Sequence, residues 1–127
     1  MRIFVLIFPL LFATFCGERH ESPNLVLSAV ETQRALRGNA LLIDLRAKGD
    51  YERRHVCGAL HVTLFRADAH SPDQYVVVYG SGERDGAETR AFVRALRRLG
   101  YTKAFAVEGG FPALIKADFK LIAATFA

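Results

Sequence analysis

Only two cysteines occur in the 127 residues, Cys16 and Cys57. Two thiols make no disulfide framework. No CxxC or His/Cys cluster has metal-ligand spacing, so neither structural zinc nor any other cofactor is expected. No apolar run reaches the roughly 20 residues that a membrane-spanning helix needs. An aromatic-rich basic patch is also missing. The 17 Lys+Arg against 13 Asp+Glu are mostly interleaved. The one basic cluster, Arg90, Arg94, Arg97 and Arg98, has helical spacing and reads as a solvated helix face. Nucleic acid is therefore not an expected partner. Without repeats or low-complexity segments, the chain has the composition and length of one ordinary globular domain.

The first 17 residues stand apart. Arg2 is a short positive start, Ile3 through Phe15 is apolar except for Pro9, and Glu18-Arg19-His20-Glu21 turns sharply polar. This is the layout of an export signal. Cys16-Gly17 after the apolar run resembles a lipoprotein processing site, although Phe15 stands where that pattern wants a small residue. Plain cleavage and lipidation of Cys16 are both expectations. The protein would then be periplasmic, secreted or tethered, with membrane contact only through the leader or a lipid. Residues 18–24 read as a linker, 25–119 as the domain, and 120–127 as an apolar tail with no assigned place.

Strand and helix signals alternate along the domain. Leu25-Val26-Leu27 is a short strand candidate. Ser28 and Glu31 form a capping-box signature for a helix that Gly38 ends, with Val30, Ala35 and Leu36 as its apolar stripe. Leu41 to Leu45 and Tyr75 to Tyr79 are strands buried on both faces. Between them lie a helical turn at Asp50 to Arg54 and a weaker strand at Leu60 to Leu64. Asp85 to Leu99 is a helix, with Asp85 as its cap, Glu88 at its third position, and Phe92, Val93, Leu96 and Leu99 on its apolar face. Ala104 to Val107 is a strand and Phe111 to Ala117 a helix. The pattern predicts an α/β fold: a small parallel sheet of about four to five strands with helices on both faces.

Four segments, in order, carry a family resemblance. They are Leu42-Ile43-Asp44-Leu45-Arg46 with Asp50-Tyr51; His55-Val56-Cys57-Gly58-Ala59; Val76-Val77-Val78-Tyr79 with its following loop and helix; and Val107-Glu108-Gly109-Gly110-Phe111-Pro112-Ala113. Together they resemble a rhodanese-like domain. The second segment departs from the family's G-H-I-P-G-A, with Arg54 for its first glycine and Cys57 for its proline. The resemblance implies a sulfur-transfer fold in which a cysteine opens the loop after the third strand segment and carries sulfur as a persulfide. Here Gly80 opens that loop, so the chain resembles a variant without the active-site cysteine. The loop runs Gly80-Ser81-Gly82-Glu83-Arg84-Asp85-Gly86, and Asp85-Gly86 stands where the family tends to be basic.

No residue is expected to be catalytic. Ser81 lacks an adjacent base and cannot hold a persulfide, and reads as a turn residue. Cys57 precedes a strand and is expected at the sheet edge opposite the ligand loops. It is nevertheless the alternative thiol for any sulfur chemistry. By the resemblance, Asp44 and Arg46 support the loop, Arg46 pairing with Asp44, Glu83 or Asp85. His55 reads as a structural histidine. Three functions follow: a binding or scaffold module without the usual thiosulfate sulfurtransferase activity, a sulfur-relay protein using Cys57 or a partner's thiol, and an anion receptor using the loop and Arg84. The partner is accordingly an unidentified protein or a small anion.

Overall fold

The computed structural model describes residues 24–82 and 86–124. The leader, Cys16, most of the linker, the loop residues Glu83, Arg84 and Asp85, and the last three residues lie outside them. No helix among the described residues is long and apolar enough to cross a membrane. No group of three or more His, Cys, Asp or Glu among them is placed to hold a metal ion.

A five-stranded parallel sheet runs through the domain. Its strands are β1 (Val26–Leu27), β2 (Leu41–Asp44), β4 (Leu60–His61), β5 (Val76–Tyr79) and β6 (Ala104–Val107), in the spatial order β1-β6-β5-β2-β4. A separate antiparallel ribbon joins β3 (Arg54–Val56) to β7 (Leu121–Ala123). The helices are α1 (Ala29–Arg37), α2 (Lys48–Arg53), α3 (Ala87–Arg98) and α4 (Gly110–Lys116). Every residue of β5 is buried because it is the central strand, covered on both faces. Val77 and Tyr79 meet Leu42, Val107, Phe111 and Leu114 on one side, with Leu36 of α1 and Tyr51 of α2 packed against them. Val76 and Val78 meet Ile43, Ala104 and Ala106 on the other, under Val93 and Leu96 of α3. Burying each such aliphatic side chain contributes about 1.5–3 kcal/mol.

Local signals account for several boundaries. Ser28 Oγ accepts from the Glu31 amide at 3.1 Å, and Glu31 Oε1 accepts from the Ser28 amide at 2.9 Å, which closes the capping box at the start of α1. Gly100, at φ 108°, turns the chain out of α3 in a conformation that disfavours a Cβ.

Other elements differ from expectation. The strand expected over Leu60 to Leu64 stops at His61, and Val62–Leu64 forms a 3-10 turn. His61 causes the stop: its ring accepts from the Thr63 amide and meets Thr63 Oγ1 at 2.8 Å, capping the turn. Helix α3 starts at Ala87 after a left-handed Gly86, so Glu88 stands at its second position rather than its third. Gly38 ends α1 at an ordinary φ of −93°, and the left-handed residue is Asn39. Val30 and Leu99 face solvent at 64% and 65% exposure instead of lining apolar stripes. Arg97 leaves the solvated basic face. It is buried, donates to the carbonyls of Ala104 and Asn24, and lies 5.0 Å from the Phe105 ring centre. Its long apolar stem makes that burial possible. The tail also finds a place: Leu121–Ala123 pairs with Arg54–Val56.

Candidate functional site

Strands β5 and β6 are neighbours and parallel, so the loops that follow them emerge side by side at the carboxyl edge of the sheet. This is where open parallel sheets hold ligands. The two loops touch through their backbones, and the Phe111 amide donates to the Gly80 carbonyl at 2.8 Å. Gly110 has φ 62°, and a Cβ there would stand 2.5 Å from the Gly82 nitrogen. Only glycine allows that approach. A cavity of about 970 Å³ opens between the loops and the start of α3.

Gly80, Ser81, Gly82 and Gly86 of the expected loop line this cavity, and Gly109 and Gly110 line it from the β6 side. Gly80 is buried, whereas Ser81 and Gly82 are exposed. No histidine is among the described residues that line it. A Cβ built on Gly80 would meet Thr89 Oγ1 at 2.5 Å. The threonine hydroxyl thus fills the space into which a side chain at position 80 would project. Charged lining residues are mixed in sign: Glu88, Glu108 and Arg90.

Asp44 and Arg46 lie beneath the cavity as a buried ion pair. The Asp44 carboxylate accepts from the Arg46 amide at 2.8 Å, from its Nε at 3.1 Å and from its Nη2 at 2.8 Å. It also accepts from the Tyr79 hydroxyl at 2.6 Å. The guanidinium lies over the Phe111 ring at 3.8 Å and donates to the Arg54 carbonyl at 2.7 Å. Burial opposes the Arg46 charge, but Asp44 outweighs it and holds the guanidinium pKa above its usual value. Burial, with Asp44 next, pushes the Tyr79 phenol far above its usual range. The pair touches the site at both ends: Tyr79 immediately precedes Gly80, and Phe111 donates to it. Arg46 pairs with Asp44, as one of the three expected partners.

Cys57 lies on the exposed turn between β3 and β4, its amide donating to the Lys120 carbonyl at 2.8 Å. It is not among the cavity-lining residues. The strand before it reaches the carboxyl half of the sheet nonetheless, because the Val56 amide donates to the Tyr79 hydroxyl at 3.2 Å. His55 is half-buried, stacked on Tyr51 with ring centres 3.8 Å apart, and its Nδ1 meets the Tyr51 carbonyl at 2.8 Å. Arg84 and its neighbours Glu83 and Asp85 lie outside the described residues.

Four contributors were not singled out from sequence. Tyr79 and Phe111 entered only as members of the resembling segments, with no role at the site. His61, whose Nε2 meets the Arg46 carbonyl at 2.8 Å, gave no signal beyond its type. Thr89 is a polar residue in the first turn of a helix, and only its position in space marks it.

A family model described as Rhodanese-like domain matches residues 28–117. The Alr3790 protein from Anabaena sp. is similar in structure, with a TM-score of 0.66 and 19% identity over 77% of this chain and 80% of that one. SseA from Escherichia coli, described among 3-mercaptopyruvate sulfotransferases, superposes at a TM-score of 0.62 and 16% identity, over 82% of this chain and 53% of its own. A thiosulfate sulfurtransferase from Pseudomonas aeruginosa matches at 0.64 and 19%, over 83% of this chain and 20% of its own.

Proposed function

The chain belongs to the rhodanese-like domain family, and from that premise we propose that it is an exported binding module that has lost the usual sulfur-transfer chemistry. Its relationship is to sulfurtransferases, whose loop nucleophile is a cysteine. One observation carries the reading: Gly80 opens the loop and the Thr89 hydroxyl stands 2.5 Å from where its Cβ would be. A hydrogen cannot attack a sulfane sulfur or hold it. What remains is the part of the machinery that binds: a cavity, backbone donors and a rigid ion-pair support. The occupant is a protein partner or a small anion. Export rests on the apolar run from Ile3 to Phe15, and mass spectrometry of the mature N-terminus reads it directly. An intact Met1 without lipid would refute that part.

The test of the chemistry is intact mass after exposure to a sulfane-sulfur donor, on the wild-type chain and on Cys57→Ser. The reading expects neither to gain a sulfur atom. A persulfide lost in Cys57→Ser would move the chemistry to the exposed turn and make the protein a relay. A persulfide that survives Cys57→Ser would have to sit on Cys16, the other cysteine of the sequence, and mapping it by peptide mass checks that.

A further inference from the structure

We propose that β7 is an open strand edge through which two copies of this chain pair antiparallel, about a two-fold axis at Ile122. The inference goes beyond the binding-module reading and does not depend on what occupies the cavity. In the ribbon, the Cys57 amide donates to the Lys120 carbonyl and the Ala124 amide to the Arg53 carbonyl. Between these two bonds the register is Val56 with Leu121, His55 with Ile122, and Arg54 with Ala123. Opposed residues in an antiparallel pair alternate between bonded and non-bonded. Ile122 therefore bonds back to His55, and the N–H and C=O groups of Leu121 and Ala123 point away from β3. They have no hydrogen-bond partner among the described residues.

The other strand edges among the described residues are blunted. On β3 the corresponding outward groups are all used. The Arg54 amide donates to the Asp50 carbonyl, and the Arg54 carbonyl accepts from Arg46. The Val56 amide donates to the Tyr79 hydroxyl, and the Val56 carbonyl accepts from the Ala59 amide. On β1 the Asn24 side chain occupies the edge, donating to the Val26 carbonyl at 2.8 Å and accepting from the Val26 amide at 3.3 Å. Strand β4 is only two residues long. Charge, proline and shortness are the usual protections of an edge, and no charged residue or proline occurs from Leu121 to Ala127.

A second copy fits this edge. With the axis at Ile122, Leu121 of each copy lies opposite Ala123 of the other, and their outward groups form four N–H···O bonds. Leu121 packs on the core, so Ile122 is on the other face of the ribbon, 41% exposed. The two Ile122 side chains then meet as a close cross-strand pair. The contact is isologous, so one edge supplies both halves of it. Three residues per copy bury far less than the roughly 1,200 Å² of a standard interface, so the dimer is weak, with a Kd of about 0.1–1 mM.

Disulfide trapping on the full chain under mild oxidation tests the pairing, with each link located by peptide mass. Ile122→Cys should give a link between the two 122 positions. Lys120→Cys, also at an exposed residue, faces position 124 of the other copy and should give its symmetric link about tenfold less often. Adding Ala123→Pro removes an outward amide without touching a ribbon bond, and should cut the 122 link by about tenfold. In the wild-type chain, hydrogen exchange of the Leu121 and Ala123 amides should slow by about threefold as protein rises through the Kd. Association through the apolar leader would leave all of these readouts unchanged. Equal trapping at positions 120 and 122, or exchange at Leu121 and Ala123 that does not respond to protein concentration, overturns the proposal.

Discussion

Putting a cysteine at position 80 meets an obstacle in the first turn of the next helix. The Cβ of Gly80→Cys would be 2.5 Å from Thr89 Oγ1, and ordinary contact begins at 3.4 Å, so the two must separate by roughly 0.9 Å. Gly80 is not among the residues with positive φ, so the collision of side chains, not the backbone, opposes the change. Thr89 can escape by turning about χ1, but a β-branched residue in a helix has few rotamers to turn into. Overpacking of this kind destabilises by about 1–3 kcal/mol. The assay is urea unfolding of four proteins: wild type, Gly80→Cys, Thr89→Ala, and the double variant. The double-mutant cycle is predicted to show a favourable coupling of about 1–3 kcal/mol, because removing the hydroxyl makes room for the thiol. Effects that add to within about 0.5 kcal/mol would refute the steric reasoning.

Other perturbations test the support beneath the cavity. Asp44→Ala would strand the buried Arg46 guanidinium and should destabilise by about 3–5 kcal/mol, measured by chemical unfolding. Gly110→Ala would force a Cβ to 2.5 Å from the Gly82 nitrogen at φ 62°, and should lower stability by more than about 2 kcal/mol; an unchanged melting temperature would contradict the close approach of the two loops. The folded protein holds the Tyr79 proton far above the ordinary value of 10.0. The unfolded chain releases it there, so the unfolded state binds fewer protons and stability falls as pH rises above about 10. Tyr79→Phe should flatten that fall in unfolding curves taken between about pH 9 and 11. It would not abolish it, because the Tyr51 phenol is also raised, by burial first and then by Asp44. An identical slope in Tyr79→Phe would count against the raised Tyr79 pKa, which burial causes first and Asp44 second.

The elements that sequence made legible are those whose causes are local. Val76 to Tyr79 reads as a strand because a central parallel strand must be apolar on both faces, and all four residues are buried. Ser28 and Glu31 predict their own cap because both partners lie within one turn. The elements that escaped depend on distant chain. Leu121–Ala123 is a strand only because Arg54–Val56 lies beside it. Arg97 carries the same charge as Arg94 and Arg98, and nothing in its neighbours says that it reaches the Ala104 and Asn24 carbonyls instead of water. At the site, the loop from Gly80 and the pair of Asp44 and Arg46 were legible through the family resemblance. Thr89 was not, since its importance arises from the fold of α3 back over Gly80 rather than from any spacing.

The most direct measurement is thiocyanate formation from thiosulfate and cyanide by the purified protein. Sulfur transfer by the family's route needs a thiol at the loop's first position, and Gly80 supplies none. The account predicts thiocyanate at the rate of the protein-free mixture, whatever the protein concentration. Formation that rises in proportion to added protein would contradict it, and loss of that formation in Cys57→Ser would place the chemistry at the exposed turn.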